Sequence, residues 1–573
     1  MRGLNAMVAA LAAIALVGTS LEAAAPAPVA ARHGMVVSAH RLASEAGIDV
    51  LKHGGNAVDA AIAVGYALAV TFPEAGNVGG GGFITIRMAD GRQAFIDFRE
   101  TAPGAARATM YLDSAGRVIP GLSTRGHLAV AIPGTVAGLE LARGAYGTRA
   151  RAPLMAAAIR LARQGFALDQ GDADFLAQGA ADFAKDPASA AIFLNHGQPW
   201  RAGEVLVQAD LGRTLQAIAI DGTDAFYKGA IARSIVASSR KHGGIMTLAD
   251  FAAYRAVERK PIECDYRGFH IISAPPPSSG GVVLCETLGI LEGWSIGRLG
   301  FHSAQSVHFT TEALRRAYHD RNLNLGDPDF VHADIARFTS TAYAARLRGE
   351  ISADRATPSA SLGGIDVGHE GHNTTHFSIV DAAGNAVSLT YTLNDWFGAR
   401  VTAEGTGILL NDEMDDFSAK PGAPNMYGLV EGTNNAIAPG KRPLSSMAPT
   451  VVLKGNKLAM VIGTPGGSHI PTGVLQVMVN VIDHGMTLSE AIDAPRIHAQ
   501  WLPDVIYYEK DALSADTMAA LAAKGHTLEP MEPWNQVAAI LTGAPALGAA
   551  PTGDARLYGA IDPRLPGGTA QGY

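Results

Sequence analysis

Along residues 374–392 the side chains change character at nearly every step, and this alternation predicts a β-hairpin. Thr375, Phe377 and Ile379 interleave with Thr374, His376 and Ser378. After Ala382-Ala383-Gly384, Val387, Leu389 and Tyr391 interleave with Ser388, Thr390 and Thr392. A three-residue loop closing on glycine fits a type I turn followed by a left-handed residue. With Asp381 opposite Asn385, His376 faces Thr390 and Thr374 faces Thr392. One face is then apolar, and the other carries a row of hydroxyls and one imidazole. By pattern alone the second face reads as the wet side of a half-buried sheet.

Elsewhere the pattern is mixed. From about residue 31 to 68 the chain reads as helical and rich in small residues, broken at Gly54-Gly55-Asn56, with residues 57–70 apolar all round. Residues 83–87 and 94–98 predict two strands around Ala89-Asp90-Gly91. A long helical region covers 136–239, a strand 269–272 and a helix 303–318. Residues 352–373 are polar, interrupted by Pro358, Gly363, Gly364, Gly368 and Gly371, and read as an exposed linker before a β-rich final third.

At the N-terminus Met1-Arg2, an apolar stretch from Ala6 to Val17 and the small residues Ala23, Ala24 and Ala25 resemble an export signal ending near residue 25. The apolar run is shorter than the roughly 20 residues of a membrane helix, and no later run replaces it. The expectation is a chain secreted across the inner membrane, periplasmic or extracellular, with no stable membrane span. Of the 573 residues 48% are hydrophobic and 17% charged, which suits a large core. Length alone suggests roughly three or four domains. The net charge of -8, with no basic block, argues against a nucleic-acid partner. Cys264 and Cys285 can pair in an oxidising compartment or remain two free thiols.

Thr374 directly follows the linker. A neutral threonine hydroxyl needs a base to become a nucleophile. A free α-amine, titrating near pH 8, supplies one on the same residue. Attack of the Thr374 hydroxyl on the Asn373 carbonyl would turn that amide into an ester, whose hydrolysis frees the amine. One site thus serves both maturation and turnover, with Thr392 across the hairpin placed to orient the hydroxyl.

The segment Asn373-Thr374-Thr375-His376-Phe377-Ser378 resembles the processing site of the γ-glutamyltranspeptidases. Further resemblances run in family order: Gly54-Gly55-Asn56-Ala57-Val58-Asp59, Gly79-Gly80-Gly81-Gly82-Phe83, Asp97-Phe98-Arg99-Glu100-Thr101, Val130-Ala131-Ile132-Pro133-Gly134-Thr135, Pro275-Pro276-Pro277-Ser278-Ser279-Gly280-Gly281, Leu325-Gly326-Asp327-Pro328, Pro443-Leu444-Ser445-Ser446-Met447 and Thr464-Pro465-Gly466-Gly467-Ser468. The resemblance implies an α+β fold, the four-layer αββα sandwich of N-terminal-nucleophile hydrolases. It implies autocatalytic cleavage at Asn373-Thr374 into a large subunit, 26–373, and a small catalytic subunit, 374–573, which form one structural unit as a heterodimer. The implied reaction is transfer or hydrolysis of γ-glutamyl groups from glutathione and other γ-glutamyl amides, to amino acid or peptide acceptors or water, without a cofactor.

Residue roles follow from the same resemblance. Thr374 is the nucleophile, assisted by Thr392, and Gly466 and Gly467 form the oxyanion hole. Arg99, Ser445 and Ser446 hold the α-carboxylate, Glu413 and Asp416 the α-ammonium, and Asn394 contacts substrate. Tyr427 belongs to a lid loop, 421–428, found in many bacterial members, which favours a glutamyl enzyme over a cephalosporin or glutaryl acylase of the same fold. A non-catalytic periplasmic binding protein and a metal-dependent hydrolase are the remaining alternatives. Trp396 and His469 depart from well-known enterobacterial members, which bears on substrate preference.

Three signals are set aside. Gly79–Gly82 lacks the Lys-Ser/Thr of a phosphate loop and reads as a tight turn near the site. His369-Glu370-Gly371-His372 lies in a loop without metal-ligand spacing, and the acids at 412–416 lack the glycine and distal glutamate of a calcium loop, so no metal is expected. His376 reads as a hydrogen-bonded structural histidine.

Overall fold

The computed structural model describes residues 25–363, 374–423, 425–426 and 429–573. Residues 1–24 of the expected export signal, Asn373, His369 to His372 and Tyr427 lie outside the described residues.

Fourteen strands build two seven-stranded antiparallel sheets: β1 (Val29–Ala31), β2 (Met35–Ser38), β3 (Gly81–Arg87), β4 (Gln93–Asp97), β5 (Val257–Arg259), β6 (Ile262–Tyr266), β7 (Phe269–Ser273), β8 (Thr375–Val380), β9 (Ala386–Thr392), β10 (Thr450–Lys454), β11 (Lys457–Gly463), β12 (Ala538–Thr542), β13 (Leu557–Ile561) and β14 (Thr569–Gly572). The first sheet runs β14-β2-β8-β9-β3-β4-β5, the second β1-β13-β12-β11-β10-β7-β6. Strands from both sides of Thr374 are interleaved in each sheet, so neither stretch of chain completes a sheet alone.

The hairpin register is the expected one. His376 lies opposite Thr390 and Phe377 opposite Leu389, and the Asp381 N–H donates to Asn385 O at 3.1 Å. Its apolar face, with Phe377, Ile379, Val387, Leu389 and Tyr391, packs on a helical layer that includes Ala57–Thr71, whose residues are all buried. On the second sheet, Ile271, Val452, Met460, Ile462 and Leu541 face the helices Gly280–Leu291, Ala304–Asn324 and Ile470–Ile482. Met35, Val37, Val380 and Ala386 meet Ile272, Val451, Val461 and Ile540 between the sheets. The layers are therefore helix, sheet, sheet, helix.

The hydroxyl face is not wet. It lies against the second sheet and is buried throughout. Ser378 Oγ donates to Ala538 O and Ser388 Oγ to Ile462 O, both at 3.0 Å. His376 bonds to Thr390 Oγ1 at 2.8 Å and Ser378 Oγ at 3.1 Å, and burial pushes its pKa down to about 3. A period-two pattern identifies the polar face, but hydroxyls bonded to a second sheet look the same in sequence as hydroxyls bonded to water.

Other expectations shift at their edges. Strands β1 and β2 precede the first helix; at three and four residues they are too short to leave a period to read. The helical region is a series of separate helices, and the helix expected at 303–318 runs on as Ala304–Asn324. Part of the supposed exposed linker is fastened down: buried Ser359 donates its N–H to Asp504 at 2.7 Å and accepts from Trp501 Nε1 at 3.2 Å. Cys264 and Cys285 form a disulfide. Among the described residues, no helix is long and apolar enough to cross a membrane.

Candidate functional site

Thr374 immediately precedes β8 and is 4% exposed. It lines a cavity of about 20 Å³ together with Arg99, Thr392, Asn394, Glu413, Asp416, Ser445, Ser446 and Gly467. Residues far apart in sequence, and expected to act together, are thus brought to one place. Gly466 belongs to the turn that presents Gly467 but is not among the lining residues. The cavity holds about one water molecule.

The glycines at 79–82 explain how the walls close. Gly81 and Gly82 open β3, pairing with Thr392 and Tyr391. A Cβ at Gly80 would run into the Thr392 carbonyl, and one at Gly81 would lie 2.5 Å from the Phe98 carbonyl oxygen. Backbone approaches this close exclude a side chain. The end of β9 then leads to Asn394, whose φ of +82° is rare for a non-glycine residue. Asn394 is held by its N–H to Thr392 Oγ1 at 2.8 Å and by its amide to Asp412 O at 3.1 Å.

Arg99 follows β4 and is fully buried. Its guanidinium pairs with both Glu413 and Asp416, lies 3.7 Å from Glu100, and donates from Nε to Pro443 O at 3.2 Å. Burial opposes the Arg99 charge, but Glu413, Asp416 and Glu100 outweigh it and raise its pKa. Glu413 is pushed well above the usual carboxylate range by burial, with Arg99 opposing. Glu100 is pushed up to about 7 for the same reason. One cation among three buried carboxyls leaves the cluster short of positive charge.

Ser445 and Ser446 sit on a loop braced by 277–280. Ser445 N donates to Pro277 O at 2.8 Å, and Ser279 donates to Ser445 O from N at 2.8 Å and from Oγ at 2.7 Å. Gly467 opens a turn leading into the helix Ile470–Ile482, with φ +129° at Gly466 and +53° at Gly467. The positive dipole end of a helix start suits developing negative charge.

The sequence model of the gamma-glutamyltranspeptidase family matches residues 43–572. The chain belongs to the γ-glutamyltranspeptidase family. It is 58% identical over 555 residues to a glutathione hydrolase proenzyme of Pseudomonas sp. (strain A14), covering 97% of this chain and 96% of that one. It is 48% identical over 548 residues to the glutathione hydrolase proenzyme of Escherichia coli (strain K12), covering 95% and 93%. Among solved structures, the cephalosporin acylase from Bacillus halodurans superposes with a TM-score of 0.82 at 27% identity, covering 96% of this chain and 97% of that one.

Within this family architecture, two asparagines that the sequence did not single out organise the walls. Asn77 donates to Thr392 O at 2.8 Å and accepts from Gly80 N at 2.9 Å and Thr135 Oγ1 at 2.7 Å. Asn435 donates to Asp416 O at 2.6 Å and accepts from Leu444 N at 2.9 Å, so one amide ties the acidic turn to the serine loop. No local motif marks either residue: Asn77 reaches Thr392 across 315 positions, and the partners of Asn435 lie in irregular loops without a periodic pattern. A larger cleft of about 680 Å³ lies around 257–263 and Pro275-Pro276. Its Arg259 is engaged by Asp97 and Asp329, and Thr374 is not part of it.

Proposed function

We propose that the chain is the precursor of a γ-glutamyltransferase and glutathione hydrolase that cuts itself at Asn373-Thr374. The observation that carries this is the convergence of Thr374 with Arg99, Glu413, Asp416 and Gly467 on one buried cavity. The interleaved sheets mean that fragments 26–373 and 374–573 would stay together as a heterodimer after cleavage.

In this reading the α-amine of Thr374 takes the proton from its own hydroxyl, and Oγ attacks the γ-carbonyl. The backbone N–H groups at Gly466 and Gly467 stabilise the oxyanion, a contribution of commonly 100- to 1,000-fold per donor. The leaving amine departs with the proton, which gives a γ-glutamyl ester on Thr374. Water or an acceptor amine, deprotonated by the same α-amine, then releases glutamate or a new γ-glutamyl amide.

The charge cluster supports an α-amino acid as the bound group. An α-ammonium would take over Glu413 and Asp416 while the α-carboxylate takes Arg99 and the serines, so the substrate replaces ion pairs within the protein by pairs of its own. A glutaryl group has no ammonium and would leave two buried carboxyls facing it without a cation, an arrangement that costs several kcal/mol. This disfavours the acylase reading despite the acylase-like fold. The proteins named as proenzymes among its relatives are in keeping with processing. Residues 1–25 would direct export.

Thr374→Ala tests the reading. One full-length band and no release of p-nitroaniline from γ-glutamyl-p-nitroanilide are expected. A variant still cut before residue 374, or still active, refutes it.

A further inference from the structure

The turn 464–468 owes its shape to a residue from a distant stretch of chain. Asn535 is fully buried, and its Nδ2 donates to the Pro465 carbonyl at 2.7 Å. Thr464 Oγ1 donates to the same carbonyl at 3.0 Å and accepts the Gln536 N–H at 3.0 Å. The next carbonyl, Gly466 O, accepts from His469 N at 2.9 Å. A trans peptide is planar, with its N–H antiparallel to its C=O. Holding the carbonyls of Pro465 and Gly466 therefore also sets the directions of the Gly466 and Gly467 N–H groups.

Asn535 fits against this turn without slack. A Cβ at Gly466 would lie 2.5 Å from Asn535 Nδ2, and one at Gly473, a turn into the following helix, 2.5 Å from Asn535 Oδ1. Behind it, Arg496 donates to Asn535 O at 3.4 Å and to Asp562 at 2.6 Å, and Asp562 also accepts from Val537 N at 3.1 Å. The amide is thus wedged between the glycine turn and the helix that follows it, and anchored from the rear.

We infer that Asn535 is a positioning residue for the oxyanion hole: its side-chain amide aims the Gly466 N–H by fixing the carbonyl of the same peptide, Pro465 O, and braces the turn that presents Gly467. This rests on the role given to those glycines above. The amide is required because the partner is a carbonyl oxygen. A carboxylate of the same shape offers no proton and would repel it. The effect falls on the transition state, since the donors must meet the oxygen where it becomes an anion, and small misalignments weaken them.

The experiment compares parent, Asn535→Asp and Gly473→Ala, with activity on γ-glutamyl-p-nitroanilide expressed per cut chain. Both variants should lower kcat roughly 10- to 100-fold, part of what an oxyanion donor contributes, and leave KM within about threefold. Binding of a γ-boronate analogue of glutamate, which forms a tetrahedral adduct, should weaken in step with kcat, while binding of glutamate itself holds. Adding Gly473→Ala to Asn535→Ala should cost little more than Asn535→Ala alone, because the clash is already relieved. A kcat within threefold of the parent in both single variants overturns the inference. So does an equal loss in kcat, KM and glutamate affinity, which marks a merely structural role. If those results come with an inactive Thr374→Ala chain, the inference falls alone; an active Thr374→Ala chain removes the reading beneath it.

Discussion

Replacing Arg99 with alanine separates binding from scaffolding at this site. The guanidinium is fully buried and engages Glu413, Asp416 and Glu100 together. A hydrogen bond to a charged partner contributes about 1.5–3 kcal/mol, and two such bonds would go to a bound α-carboxylate. Arg99 gives up its own carboxyl partners to make them, so the net loss on removal is smaller, about 2–4 kcal/mol. That corresponds to a roughly 30- to 700-fold rise in KM. Removal also strands acids in the interior, at about 3–5 kcal/mol of stability. The two effects can be told apart. Adding Glu413→Gln should restore much of the stability in denaturant unfolding, because it discharges a stranded acid, yet it should leave KM high. Self-cleavage should persist in Arg99→Ala, since it needs no α-carboxylate. A KM within twofold of the parent, with γ-glutamyl-p-nitroanilide as donor, would refute the assignment of Arg99 to substrate.

Two further outcomes follow from the fold. Joint replacement of Cys264 and Cys285 by serine should cost about 3 kcal/mol in denaturant unfolding, as expected for a loop of their 21-residue separation. KM should rise with it, because that loop carries the 277–280 segment bracing Ser445; unchanged stability would show that the crosslink carries no weight. His376 has a native pKa of about 3 against an ordinary value near 6.5, so between those limits the unfolded chain binds more protons. Its contribution to stability is therefore present above pH 6.5 and is lost as pH falls towards 3, by up to about 1.4 kcal/mol per unit. His376→Gln should flatten the stability difference between pH 7 and pH 5 relative to the parent, and equal slopes in the two proteins would contradict the buried neutral imidazole.

The sequence alone determined what local chemistry controls. The hairpin at β8 and β9, its register and the separation of its faces were legible because side-chain alternation and a glycine-closed turn leave one consistent pairing. The motifs along the chain also pointed to the family and to the polar residues now found around the cavity, but not to Leu429 and Ile470, which line it as well. Tertiary structure decided what local pattern cannot encode. Ser378 and Ser388 face a second sheet instead of water, because their hydrogen bonds are met by Ala538 and Ile462, and the His376 ring lies against Gly463 of that sheet. Arg99 is held among three acids, two of them more than 300 positions away. Asn77 and Asn535 brace the site through single amides, each to backbone far off in the chain. Such bonds depend on where two distant segments meet in space, and no periodicity, spacing or composition records that.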